Sequence, residues 1–168
     1  MLLGASFEAL PLPVQQLHDE SPRKVISGEA TVQRGRHWLS RLAGVVTALP
    51  PAATRVTVRV TIERNGASEH WRREFGDHVM PSTQTIEGGL LLEVLGAVTF
   101  RFELSVRDAQ ILWRVVSAKV WGIALPARWF KQVNAAEGAD GDRYTFDIRA
   151  SMPVVGLLVH YQGWLDVG

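Results

Sequence analysis

The sequence contains no cysteine. Disulfide bonds, thiolate nucleophiles and cysteine-based zinc sites are therefore excluded, and a reducing cytoplasm is the expected location. The sequence also lacks any apolar run near the roughly 20 residues that a membrane-spanning helix needs. Residues 1–11 have no basic stretch at their start and are interrupted by Glu8, so we predict no signal peptide.

An excess of charge of either sign is missing as well. The 168 residues include 18 lysines and arginines against 17 aspartates and glutamates, which leaves a formal net charge of +1. Nucleic-acid-binding proteins usually show a clear basic excess or a basic stripe. No nucleic-acid partner is therefore predicted.

Motifs for catalysis and for cofactor or metal binding are also missing. The chain has no glycine-rich dinucleotide fingerprint, no phosphate-binding loop and no serine-hydrolase elbow. The five histidines are scattered, and none has the spacing typical of zinc ligands. We therefore predict no cofactor and no metal, and a non-enzymatic function is favoured over an enzyme.

What the sequence does contain is a succession of alternating segments. Residues 56–63 alternate valine or isoleucine with threonine, arginine and glutamate, and Asn65-Gly66 follows as a hairpin turn. Residues 98–106 and 140–152 alternate in the same way. This pattern predicts a mainly β (α+β) fold, in which a strongly curved antiparallel meander of about 8–10 strands forms a barrel or half-barrel.

Helical spacing is confined to a few short segments. It occurs in an N-terminal segment of about residues 5–20, in residues 36–49 and in residues 125–133. We predict that two or three short helices cap the barrel, and that residues 1–168 form one domain whose β-rich body spans about 28–167.

The segment 36–49 places four large apolar side chains on one helical face. They are Trp38, Leu42, Val45 and Leu49. This face predicts packing onto the mouth of the barrel, and docking on a membrane surface is the alternative.

The candidate site is the segment HWRREFGDH, residues 70–78. Strand periodicity places Trp71, Arg73 and Phe75 on one face of the segment. A buried guanidinium needs a carboxylate or an anion as its partner, and Glu93 and Glu87 are the nearest carboxylates along the chain. Two interpretations stay open: Arg73 anchors the acidic head of a ligand, or Arg73 and a glutamate form a buried pair that fixes strand register.

We predict that the domain is a binding module for a hydrophobic or amphipathic small molecule held in a barrel-like cavity. The predicted ligand-binding residues are Trp71, Arg73, Phe75, Glu93, Trp113, Trp121 and Tyr161. Apolar turns at 121–130 and 152–159 indicate an end cap, an interface or a ligand portal.

Two other functions stay open. One is an accessory or oligomerisation domain, whose apolar loops contact a reductase or a second copy of the chain. The other is an enzyme that uses Arg73 together with Glu93 or His160.

Several landmark segments resemble a bacterial family known as domain of unknown function 4166. The segments are LGASFEALPLPVQQLH, GEATVQRG, WRREFG, GGLLLEVLG, FRFELSV, LPARWF, Glu137 and YTFDIRASMPVVGLLVHYQGWL. Members occur alone or fused to saccharopine-dehydrogenase-like or short-chain reductases. The resemblance therefore implies cooperation with an oxidoreductase, and it implies no particular activity.

Overall fold

The structure is a computed structural model that describes residues 2–153 and 155–168. The helices in this part of the chain are α1 (Ala5–Glu8), α2 (Leu12–Leu17), α3 (Trp38–Val46) and one 3-10 helix (Ala127–Phe130). The strands are β1 (Arg23–Arg34), β2 (Ala53–Asn65), β3 (Ser68–Phe75), β4 (His78–Glu87), β5 (Leu90–Leu95), β6 (Val98–Arg107), β7 (Gln110–Val120), β8 (Ile123–Ala124), β9 (Gln132–Asp140), β10 (Arg143–Met152) and β11 (Gly156–Asp166).

Ten of these strands close into an antiparallel barrel. Their order is β6-β5-β4-β3-β2-β1-β11-β10-β9-β7, and pairing of β6 with β7 completes the circle. The eleventh strand, β8, pairs only with the end of β7. Closure satisfies the backbone groups that would otherwise lie at open sheet edges. The predicted fold class, a mainly β barrel capped by short helices, is confirmed.

The β2–β3 hairpin shows how the sequence builds the wall. Val60 pairs with Arg73 and Ile62 pairs with Trp71, so that the apolar residues of β2 face the same interior as the aromatic face of β3. Val60 and Ile62 are buried. Burial of each such side chain contributes about 1.5–3 kcal/mol to the stability of the fold. Gly66 adopts φ 60° in the turn, a conformation that glycine reaches without steric cost.

The two ends of the barrel are closed by different helices. At one end, called the α2 end, Val14 and Leu17 of α2 are completely buried against the interior. At the other end, called the α3 end, the helix α3 lies across the strand turns. The Ala97 N–H donates to the Val46 carbonyl at 3.1 Å, and His78 Nε2 lies 2.8 Å from the Ala48 carbonyl.

The orientation of α3 differs from the prediction. Trp38, Leu42 and Val45 are 65%, 53% and 82% exposed, so their packing onto the barrel mouth was predicted wrongly. Small residues face the barrel instead: Ser40, Gly44 and Thr47.

The reason for this orientation is Arg34, at the end of β1. Its guanidinium donates to the Ser40 carbonyl at 2.9 Å and to the Pro50 carbonyl at 3.1 Å. A Cβ at position 44 would lie 2.1 Å from Arg34 Nη2, so only glycine allows the helix to come this close. Charge-assisted hydrogen bonds therefore determine which face of α3 is turned inward. Leu49, beyond the helix, is half-buried and packs against the core.

Candidate ligand-binding lumen

An inner cavity of about 110 Å³, which we call the lumen, lies within the barrel. Six of the seven predicted ligand-binding residues line it: Trp71, Arg73, Phe75, Glu93, Trp113 and Tyr161. The seventh, Trp121, is 74% exposed, because a β-bulge at Val116 reverses the alternation of β7 and Trp121 lies in the turn beyond the strand. The structure thus brings six of the residues together, and their role in ligand binding stays a prediction.

The carboxylate partner of Arg73 is Glu93. Arg73 Nη2 donates to Glu93 Oε1 at 3.2 Å, and the two side chains are 16% and 11% exposed. Arg73 Nη1 donates to Ser82 Oγ at 2.8 Å, and the guanidinium carbon lies 4.8 Å from the centre of the Trp71 ring. Glu87, the other candidate, pairs with the exposed Arg101. The guanidinium is thus largely paired within the protein.

The carboxylate of Glu93 is held by more than one donor. Its Oε1 also accepts from Ser82 Oγ at 2.7 Å and from Gln84 Nε2 at 3.1 Å. A buried polar group that is fully hydrogen-bonded avoids the several kcal/mol that an unpaired charge would cost. This network joins β3, β4 and β5 and fixes their register, as the structural interpretation requires.

A second polar cluster lies between α2 and the opposite wall. His18 Nε2 is hydrogen-bonded to Glu137 Oε2 at 2.7 Å, and the side chain of Tyr144 interacts with the same carboxylate. Burial, followed by the negative charge of Glu137, raises the pKa of Tyr144 well above its ordinary value. Tyr144 is therefore a neutral hydrogen-bond donor inside the barrel.

Sequence reasoning missed this cluster. His18 and Glu137 are 119 residues apart, so no local motif joins them. Glu137 is visible in the sequence as the one acid in residues 109–139, and its inward position follows from pairing with Phe146. Strand alternation around Phe146 could have placed Glu137 in the interior, although not its contact with His18.

Tyr161 lies on the aromatic side of the lumen. Its ring packs edge-to-face on Phe75 at 5.6 Å and lies 6.2 Å from Phe146, measured between ring centres. Burial raises the pKa of Tyr161 to about 12, against the opposing effect of the Arg73 charge. The two tyrosines of the chain thus both lie inside the barrel as neutral groups.

Trp113 carries an unsatisfied donor. Its Nε1 is buried and has no hydrogen-bond partner within residues 2–153 and 155–168. The ring packs edge-to-face on Phe102 with 5.2 Å between centres, which fixes its position in the wall. A buried donor without a partner costs about 1–3 kcal/mol.

A larger cavity of about 510 Å³ opens at the α2 end. Its volume falls within the range of roughly 300–1,000 Å³ that is typical of small-molecule sites. Trp113 and Glu137 line both this outer cavity and the inner one, so the two cavities meet at these residues. The apolar part of the outer wall includes Leu3, Phe7, Leu91, Leu104 and Ile111.

The residues predicted for an enzyme are only partly brought together. Arg73 and Glu93 are in contact, but His160 pairs with the half-exposed Asp147 at 2.9 Å. Tyr161, the next residue along β11, lines the lumen, so His160 points to the outer face of the sheet.

The comparison with protein families decides the relationship that the landmark segments suggested. The model of a family described as Domain of unknown function (DUF4166) matches residues 10–165. The chain belongs to this family. The match includes every polar residue of the DUF4166 lumen, whereas Leu3 and Phe7 of the outer cavity precede it. The comparison of this DUF4166 domain with curated proteins gave no match.

Other features of the DUF4166 domain concern metals and membranes. No group of three or more histidine, aspartate or glutamate side chains that could hold a metal ion occurs in the described part of the chain. Among the same residues, no helix is both long enough and apolar enough to cross a bilayer. Of the apolar turn predicted at 152–159, Val154 lies outside the described residues.

Proposed function

We propose that this domain is a binding module for a small amphipathic molecule with an uncharged polar group. The observation that carries the proposal is the buried Nε1 of Trp113, which has no partner in the described residues and belongs to a side chain lining both cavities. A hydroxyl, ester or ketone oxygen of a ligand would accept the hydrogen bond from this indole once the ring moves enough to bring the buried Nε1 to the cavity surface.

The charges of the lumen support an uncharged ligand group. Arg73 is already paired with Glu93, and Glu137 is hydrogen-bonded to His18 and interacts with Tyr144. An acidic ligand group would lie near two carboxylates and would find the guanidinium already engaged. Burying such an anion without a free cation costs several kcal/mol. The proposal therefore departs from the interpretation in which Arg73 anchors an acidic head.

The apolar part of the ligand would occupy the outer cavity. Leu3 and Phe7 come from the N-terminal segment, and Leu104 and Ile111 come from the neighbouring strands β6 and β7. Burial of an alkyl chain against such a wall contributes about 0.8 kcal/mol per methylene group. The polar group would then lie at the junction of the two cavities.

Three predictions lie outside this proposal and rest on the sequence alone. They are the reductase partner that the resemblance implies, a second copy of the chain as partner, and a cytoplasmic location. Catalysis by Arg73 with Glu93 or His160 is not part of the proposal either, because Glu93 is engaged by three donors and His160 faces outward.

The test is a calorimetric titration with two probes that share one tail, octanol and octanoate. We expect octanol to bind. Octanoate should bind at least about tenfold more weakly, because its carboxylate would lose its hydration on binding. Trp113→Phe removes the donor and should weaken octanol binding about tenfold. Trp129→Phe is the matched control, since Trp129 lies in the 3-10 helix at the α3 end and is not a lining residue of either cavity.

The proposal is wrong if octanol does not bind, or if Trp113→Phe binds octanol as tightly as the unchanged protein does. Octanoate binding equal to that of octanol would reject the uncharged group specifically. Thermal unfolding of both variants checks that each one remains folded.

A further inference from the structure

The α3 end of the barrel carries a group of exposed, large apolar side chains. They are Trp38, Leu42 and Val45 of α3, and Trp121 and Ile123 at the turn between β7 and β8. We call these five residues the α3-end surface. Single exposed apolar residues are ordinary on proteins, whereas a group of them at one end indicates an interaction site.

Backbone hydrogen bonds hold the two parts of this surface together. The Ala97 N–H donates to the Val46 carbonyl at 3.1 Å, and the Trp121 N–H donates to the Ala97 carbonyl at 3.0 Å. The last turn of α3 and the β7–β8 turn are thus fastened to the same residue. The α3-end surface is therefore one feature of the fold and not two unrelated loops.

Trp121 is exposed at a sterically unfavourable position. Its φ is 48°, in the left-handed region, which a bulky side chain rarely adopts. The fold buries little of its side chain, which is three-quarters exposed. The two-residue turn between β7 and β8 requires positive φ at Trp121 and Gly122, so the turn holds the indole outside the barrel.

The two chain segments that carry the surface contain charged side chains of one sign. Residues 30–62, which include α3, contain no aspartate or glutamate, and neither do residues 109–136, which include the β7–β8 turn. Exposed basic residues lie in both stretches: Arg36 and Arg41 beside the apolar face of α3, and Lys119, Arg128 and Lys131 beside the turn. Five exposed basic side chains thus lie beside the apolar surface, and one exposed acid, Asp77, lies in the β3–β4 turn at the same end. The excess of positive charge is complementary to an anionic surface.

We propose that the α3-end surface docks on an anionic lipid bilayer as a peripheral contact. The indoles of Trp38 and Trp121 suit the headgroup region, where tryptophan is enriched because it combines an apolar ring with a polar N–H. The neighbouring arginines and lysines would contact lipid phosphates. The contact lies at the opposite end from the outer cavity and is independent of ligand binding in the lumen.

The test is vesicle flotation of the intact protein. We expect it to float with vesicles of phosphatidylcholine mixed with phosphatidylglycerol, and to float much less with phosphatidylcholine alone or at high salt. The double variant Arg36→Glu/Arg41→Glu should lower the partition coefficient by at least about fivefold for each arginine replaced.

The apolar contribution is tested by Trp121→Ser/Ile123→Ser. This variant should lower the partition coefficient on anionic vesicles by about tenfold or more. The matched control is Val25→Ser/Ile86→Ser, because both residues are exposed and apolar and both lie toward the α2 end. The control should float like the unchanged protein, and circular dichroism checks that both variants fold.

Three results would overturn the proposal. The protein could fail to float with anionic vesicles, or both double serine variants could float equally. The third result is a dimer in light scattering that Trp121→Ser/Ile123→Ser converts to a monomer, because the surface would then be covered by a second copy of the chain.

Discussion

Arg73 Nη2 lies 3.2 Å from Oε1 of Glu93, in the interior of the barrel. The pair connects β3 with β5 across β4, whose Ser82 is bonded to both members. A buried pair with these additional hydrogen bonds is costly to break by removing one side, because the other charge is left unpaired.

Arg73→Met is therefore expected to lower the free energy of unfolding by about 3–5 kcal/mol. The double variant Arg73→Met/Glu93→Leu should regain most of this loss, since it removes both charges together. Urea denaturation measures both variants. Arg101→Met, which breaks the exposed pair with Glu87, is the control and should cause no measurable loss. Additive losses in the double variant would show that the two charges do not depend on each other.

The two tyrosines are expected to ionise only together with unfolding. The pKa of Tyr161 is raised to about 12 by burial, and burial also raises the pKa of Tyr144 well above its ordinary value. A tyrosine in an unfolded chain has a pKa of about 10. Because the folded pKa is higher, the stability contributed by Tyr161 is fully present below pH of about 10 and is lost as the pH rises to about 12. Tyrosinate absorbance and circular dichroism should therefore change together, and a tyrosine that ionises near its ordinary pKa in a folded protein would contradict this account.

Asp19 is expected to give stability at the opposite end of the pH range. Its hydrogen bond from Lys24, followed by one from Ser21, lowers its pKa from 3.8 to about 2. Because the folded pKa is lower, this stability is present above the ordinary pKa and is lost as the pH falls to about 2. Lys24 also donates to the Gln16 carbonyl, so that the pair holds the end of α2.

The variant Asp19→Asn measures this effect. The difference in unfolding free energy between the variant and the unchanged protein should be largest near neutral pH and should disappear near pH of about 2. The carboxylate is half-exposed, so the difference should be small and should decrease with salt. A difference that is independent of pH would rule out the charge of Asp19 as its origin.

Gly163 is expected to tolerate no larger residue. A Cβ at this position would lie 2.1 Å from the Glu29 carbonyl oxygen of β1, and backbone cannot move aside cheaply. Gly163→Ala should lower the free energy of unfolding by about 1–3 kcal/mol or more. Gly138→Ala is the matched control in β9, because its added Cβ meets the flexible end of Gln110 at 3.2 Å. Equal losses in a denaturation experiment would contradict the close approach of β1 and β11.

Much of the fold is predictable from the sequence because its main signal, the alternation of inward and outward residues, lies within each strand. Alternation in β2 and β3 identifies which residues face inward, so Trp71, Arg73 and Phe75 are placed correctly from sequence. The helix predicted over 125–133 becomes a 3-10 helix, Ala127–Phe130, because β9 already begins at Gln132.

The failures concern contacts between distant segments. The inward face of α3 is determined by hydrogen bonds from Arg34, which outweigh the apolar stripe that sequence reasoning relied on. The contact between His18 and Glu137 depends on how α2 packs into the end of the barrel. The spacing of apolar residues along the sequence does not predict that packing. Uninterrupted alternation from Trp113 places Trp121 on the inward face, but a β-bulge at Val116 reverses the alternation of β7. Ala118 is therefore buried, and Trp121 lies outside, one residue beyond the end of the strand.

Binding of a ligand at Trp113 is tested most directly by the indole N–H signals in nuclear magnetic resonance during a titration with octanol. The chain has six tryptophans, and Trp113→Phe assigns the Trp113 signal as the one that is lost. We predict that this signal moves downfield as octanol accepts a hydrogen bond from Nε1, while the signal of the exposed Trp121 stays in place. A Trp113 signal that does not move at saturating octanol would contradict the proposed binding site.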